Sequence, residues 1–175
     1  MTRRRPVPLL PAVAAAVLLA AASGCAQQGK NVLTKRPPRP VARVDRIVLP
    51  TQDPVNWDGR PGADGLAVQV YFFRRPPATA LAVTVTGTLH LALYEGPSAG
   101  DDPQAQPLLT WKFTAKELDT CLARAAWGWG YALRLGWGDR PPEASVVTLT
   151  ARYVPPEGTG MPVSAKPTTL SIAPR

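Results

Sequence analysis

Between positions 127 and 137 every odd-numbered residue is large and apolar (Trp127, Trp129, Tyr131, Leu133, Leu135 and Trp137), while the even positions hold Gly128, Gly130, Ala132, Arg134 and Gly136. Side chains alternate across a strand but recur every 3.6 residues on a helix. This stretch therefore makes a coherent surface only when extended, with one bulky face and one nearly bare face. The bulky face suits the space between two sheets, and the bare one admits a close backbone or a bulge. The same rings also suit a surface that stacks on sugar faces or anchors a partner protein. Spacing does not separate these uses. Trp127 and Trp129, at the end of the stretch, are expected to be the more exposed pair and form the candidate ligand or partner surface.

Period-two patterning recurs along the chain. Leu66, Val68, Val70 and Phe72 share one parity, opposed by Ala67, Gln69, Tyr71 and Phe73. Leu89, Leu91 and Leu93 alternate with Thr88, His90 and Tyr94; Trp111 and Phe113 flank Lys112; Val147, Leu149, Ala151 and Tyr153 share a face; Leu170 and Ile172 come last. With Val44 to Leu49 and the tryptophan stretch this gives about seven strands, the number of an immunoglobulin-like β-sandwich, with a partly closed barrel as the alternative. The 21 Pro and 14 Gly point the same way, because both residue types are unfavourable inside helices. Arg75-Pro76-Pro77, Arg140-Pro141-Pro142 and Val154-Pro155-Pro156 fall where a strand pattern stops, as expected of prolines that block further pairing.

One short helix is expected. Thr114-Ala115-Lys116-Glu117 has the capping-box form, in which the threonine and glutamate side chains satisfy early backbone donors. Leu118, Cys121, Leu122 and Ala125 then share a helical face, so that Cys121 reads as a small buried hydrophobe.

The inventory for catalysis is poor. His90 is the single histidine and falls on the polar parity of its strand; no Gly-x-Ser-x-Gly elbow accompanies it. A Cys121–His90 dyad conflicts with the apolar surroundings expected of Cys121, and one histidine with one available cysteine is too little for zinc. The segment from Asp53 to Gly59 contains Asn56-x-Asp58-Gly59, the middle of an EF-hand loop, but Pro54 and Gly65 occupy the first and last ligand positions. Asp53, Asp58, Asp64, Asp101 and Asp102 remain as donors for an irregular cation site, whereas turn formation explains the Asp-Gly and Pro-Gly pairs here more simply. No phosphate-binding or dinucleotide-binding glycine loop is present. The expectation is a chain without catalytic residues, metal or cofactor.

At the N-terminus, Arg3, Arg4 and Arg5 precede an apolar run from Val7 to Ala22 and then Ala22-Ser23-Gly24-Cys25. This is the tripartite form of a secretory signal, and the last four residues resemble the lipobox of bacterial lipoproteins, with Ala22 where that family more often has Leu. The resemblance implies cleavage before Cys25, acylation of its sulfur and membrane anchoring, since several acyl chains hold stably where one does not. Cys121 is then left without an intramolecular disulfide partner. The implied organisation is a signal peptide over 1–24, a lipidated Cys25 with a Pro-rich tether over 25–40, and a β-sandwich over 41–175. Loss of the three leader arginines takes 20 basic residues to 17 against 12 acidic ones, a formal +5. Export argues against nucleic acid as the partner. Ala26 in place of an aspartate favours the outer membrane, facing the periplasm.

Asn56-Trp57-Asp58-Gly59-Arg60-Pro61, followed by Val68-Gln69-Val70-Tyr71, is similar to the start of the type VI secretion outer-membrane lipoprotein. That family is a lipid-anchored β-sandwich that docks a larger membrane protein, and the resemblance assigns no site residues here. Anchor, sandwich and missing catalytic set together lead to a non-enzymatic envelope lipoprotein that docks a protein or serves in assembly. The alternative is a glycan- or cell-wall-binding module that uses the tryptophans.

Overall fold

A computed structural model describes residues 36–75, 81–97, 104–125 and 127–172, with backbone alone at 51–53. Cys25, the signal segment, Asp101, Asp102, Pro76 and Pro77 lie outside the described residues. In chain order the elements are β1 (Arg46–Val48), β2 (Thr51–Val55), β3 (Gly65–Phe73), β4 (Thr88–Glu95), β5 (Leu109–Phe113), α1 (Ala115–Thr120), β6 (Leu122–Ala125), β7 (Gly128–Gly136), β8 (Val146–Val154), β9 (Val163–Ser164) and β10 (Thr168–Ser171).

The strands form two antiparallel sheets in the orders β1-β3-β7-β6 and β10-β8-β4-β5. Labelled as an immunoglobulin domain these are A-B-E-D and G-F-C-C′, so the protein is an all-β sandwich of immunoglobulin-like order with one short helix. Strands β2 and β9 are continuations of the two outer strands: β1 and β2 both pair with β3, and β9 and β10 both pair with β8. Pro50 separates the first pair and Pro167 the second. Proline cannot donate to a ladder and is tolerated at sheet edges, so one edge strand of each sheet is cut into two short pieces that make a poor template for another chain.

The expected parities are those of the inner faces. Leu66, Val70 and Phe72 from β3 meet Leu89 and Leu93 from β4, Tyr131 and Leu135 from β7, and Val147, Leu149 and Tyr153 from β8, each with no exposed surface. Full burial of one such aliphatic or aromatic side chain contributes about 1.5–3 kcal/mol, which fixes the register of every strand that carries one.

Helix α1 begins as its sequence predicts. The Glu117 amide donates to Thr114 Oγ1, and Glu117 Oε2 accepts from the Thr114 amide at 2.7 Å. The Thr114 amide and the Thr114 hydroxyl, both bonded to Glu117 Oε2, hold the Glu117 carboxyl below its usual range. The helix is shorter than the apolar pattern implies, however. It ends at Thr120, and Leu122 and Ala125 belong to β6 rather than to a helical face. The reason is tertiary: residues 122–125 pair with β7 at Tyr131, Gly130, Trp129 and Gly128, and a full ladder outweighs one more helical turn. Cys121 is the C-cap of α1 and is half-buried, packed against the main core.

Two buried tyrosines fasten the first part of the domain to the rest. Tyr131 accepts from the Val85 amide at 2.9 Å; Tyr153 accepts from the Gly87 amide at 3.0 Å and donates to the Ala42 carbonyl at 2.8 Å. The Phe72 ring lies 5.6 Å from one and 5.3 Å from the other. Beside them Val41 pairs with Val85, and the Thr84 hydroxyl donates to the Pro38 carbonyl at 2.9 Å. The chain is therefore held to the sandwich from Pro38 onward, within the last residues of the Pro-rich segment.

Candidate functional site

The tryptophan stretch divides between two faces. Tyr131, Leu133 and Leu135 fill the inter-sheet core, Trp129 keeps their parity and is half-buried, and Trp137 is buried just beyond the strand. Trp127 departs from the alternation. It sits in the turn joining β6 to β7, where Ala125 pairs with Gly128, and Gly128 has a φ of 104° that an L side chain rarely adopts. The turn carries the Trp127 ring to the outer face of the sheet, 5.1 Å from the ring of Tyr71 and tilted by 55°.

Tyr71 and Phe73 lie on the outward parity of β3 and form, with Ala82, a second apolar cluster against Val48 and Ala125. The Arg46 guanidinium lies 5.0 Å from the Phe73 ring, a cation–π geometry. Segment 81–85 crosses this end of the sheet: Val83 donates to Phe72 at 2.8 Å and Ala82 to the Trp127 carbonyl at 3.3 Å. Leu81 extends over Gly128, where an added Cβ would come within 3.8 Å of its Cδ2. The outcome is a corner in which Tyr71 and Phe73 are buried while Leu81 and Trp127 are 46% and 47% exposed. Leu81 has no distinguishing sequence signal. Tyr71 and Phe73 do, because they make both faces of β3 apolar at its C-terminal end.

The bare face of β7 also has a structural use. A Cβ at Gly130 would lie 2.8 Å from both the Gln69 amide nitrogen and the Tyr71 ring, and one at Gly65 would lie 2.6 Å from the Trp57 ring. Glycines thus allow Tyr71 and Trp57 to lie flat on the sheet, with the Arg134 guanidinium 5.8 Å from the Trp57 ring.

The Asn56–Asp64 loop is organised around its own backbone. Asn56 accepts from the Gly59 amide at 2.7 Å and donates to the Gly62 carbonyl at 2.8 Å and to the Arg60 carbonyl. Asp64 Oδ2 accepts from the Trp57 and Asp58 amides at 2.6 and 3.0 Å, and Asp58 accepts from the Arg60 amide at 2.9 Å. Of the carboxylates considered for a cation, Asp58 and Asp64 hold a turn, and among the described residues no three His, Cys, Asp or Glu side chains gather as a metal-binding group.

His90 and Cys121 are not brought together. His90 is exposed on the outer face of β4 and lines an open groove of about 770 Å³. Cys121 packs against the core from the end of α1, with its sulfur 3.8 Å from the Thr120 hydroxyl. The geometry offers two surfaces able to hold a partner or ligand, the Trp127 corner and the His90 groove. Comparison with protein families, curated proteins and solved structures finds no match for this chain, so its function is argued from these surfaces.

Proposed function

We propose that the chain is a bacterial envelope lipoprotein, anchored by acyl chains on Cys25 to the periplasmic face of the outer membrane, whose sandwich is a non-enzymatic docking module for an envelope protein. The observation that carries the docking role is Trp127, about half exposed beside Leu81 and seated on the buried Tyr71 ring. A tryptophan already held in one orientation loses little side-chain freedom on binding, and such rings dominate the energy of protein interfaces. The anchoring role rests on the leader and the small residues before Cys25. The resemblance to the type VI secretion lipoprotein suggests the class of partner, a larger membrane protein.

The test is in-cell crosslinking followed by co-purification of the full chain. Trp127→Ala should lose the captured protein while the variant stays on the membrane, and Cys25→Ala should shift the protein off the membrane. Undiminished capture by Trp127→Ala would remove the docking role from this corner. The exposed ring also supports a second reading, a saccharide stacked on Trp127. That reading predicts a change in tryptophan emission on adding cell-wall fragments, which protein docking does not.

A further inference from the structure

The outer face of the β5–β4–β8 sheet is separate from the Trp127 corner. Its register sets Lys112, His90, Arg152 and Ser164 side by side in one row across β5, β4, β8 and β9. The next row holds Thr110, Ala92 and Thr150, and all of these residues line the 770 Å³ groove together with Tyr94. Neighbours across an exposed sheet face are stabilised by opposite charges and destabilised by like ones. Here two permanent cations flank a histidine, all three exposed, and no carboxylate lines the groove among the described residues. Neither Lys112 nor Arg152 forms a salt bridge among those residues. The nearby Glu117 carboxylate is engaged by the Thr114 amide and hydroxyl, and Lys112 has the smallest influence on it. Lys112 and Arg152 are each one strand away from His90 and two strands from each other, and two cations in one row, with no carboxylate among the described residues lining the groove, suit an anionic ligand.

We infer that the groove binds an anionic glycan, a short run of sugar rings bearing carboxylate or phosphate groups. Three inter-strand spacings make the row about 14 Å long, longer than a single small anion. Lys112 and Arg152 meet the charges, Thr110 and Ser164 exchange hydrogen bonds with ring hydroxyls, Thr150, whose own hydroxyl donates to the Ala92 carbonyl at 3.4 Å, accepts one, and Ala92 leaves a floor beside the Tyr94 ring. The volume lies in the range of small-molecule sites. A peptide added as a strand would pair along the outer edge of β5, whereas the groove lies across the face of the sheet over β4, which is paired on both sides. The inference depends on neither the lipid anchor nor the Trp127 corner.

Calorimetric titration of the full chain in detergent tests it, with four-ring oligogalacturonate, a phosphorylated oligosaccharide, maltotetraose and tetraglutamate as probes. At least one acidic oligosaccharide should bind, and which one identifies the charged group. Its affinity should fall about tenfold or more in Lys112→Ala and in Arg152→Ala. It should also fall in Ala92→Trp, which fills the floor, and remain unchanged in Arg140→Ala and Trp127→Ala. Equal affinity for maltotetraose would show that charge is not read, and equal affinity for tetraglutamate that sugar is not read; either overturns the inference. So does absence of binding by both acidic oligosaccharides, or binding that survives Ala92→Trp with an unchanged circular dichroism spectrum.

Discussion

A methyl group at Gly87 would come within 2.3 Å of the Val154 carbonyl oxygen and 2.6 Å of the Tyr153 hydroxyl. Backbone on one side and a buried ring on the other leave nothing free to move. Gly87→Ala is therefore expected to lower unfolding free energy in urea by about 1–3 kcal/mol, the usual range for overpacking, and an unchanged midpoint would show that segment 81–87 can lift away. Tyr131, fully buried beside the same segment, makes a prediction about pH. Burial pushes its hydroxyl up to about 12 from the ordinary 10.0, against the opposing effect of the Val85 amide. Burial likewise raises Tyr153. The folded state thus keeps the Tyr131 proton to higher pH than the unfolded chain does. Its contribution to stability is complete below pH 10 and is lost as pH rises toward 12. Tyr131→Phe should lower stability at neutral pH by about 1–3 kcal/mol, because the Val85 amide loses its partner. The same variant should flatten the alkaline decline, leaving the part that belongs to Tyr153. Thermal melts across the alkaline range measure both effects.

At the scale of elements, the strands were legible because a half-buried strand must repeat with period two, and Leu66 to Phe72, Leu89 to Leu93 and Val147 to Tyr153 do so without interruption. Strands β2, β6 and β9 were not legible. Each is only two to five residues long and is held by a neighbour that local pattern does not reveal. The segment after Cys121 shows the conflict most clearly: its apolar spacing suits a helix, and its pairing with β7 makes it a strand. The cap of α1 was legible because it is local, with both partners three residues apart. Removing it gives an element-scale prediction. Cys121 closes the helix through its amide, which donates to the Leu118 carbonyl at 2.9 Å. Loss of an N-cap costs a helix about 1 kcal/mol, so Thr114→Ala should raise labelling of Cys121 by a thiol reagent roughly fivefold under native conditions. An unaltered rate would mean that burial of Leu118, rather than the cap, keeps this short helix closed.

For the whole molecule, the tryptophan stretch marks the end of the sandwich at which Trp127 is exposed but not the division within it. Alternation alone puts Trp127 and Trp129 on one face. The turn at Gly128 separates them, and Leu81 reaches the corner only because segment 81–85 crosses the sheet end. The His90 groove was even less legible, since its row joins residues far apart in sequence through strand register. The corner lies at the end of the sandwich where Val41 pairs with Val85 and Pro38 meets Thr84. Cys25 is thirteen residues before Pro38, at most about 45 Å of fully extended chain. If Cys25 carries the anchor as proposed, Pro38 stays within that distance of the bilayer and the Trp127 corner, at the same end of the sandwich, is kept near it, so its partner must present a binding surface close to the membrane. A short link raises the effective concentration of a membrane-bound partner, and lengthening it dilutes the corner by roughly the −3/2 power of linker length. Inserting a flexible Gly/Ser segment of about 30 residues after Gln28 should therefore leave the protein on the membrane and reduce the yield of crosslinked partner several-fold. Trp127→Ala should abolish that yield with either linker. A yield indifferent to linker length would mean that the partner is soluble or reaches far from the membrane, and the corner would then need no anchor to find it.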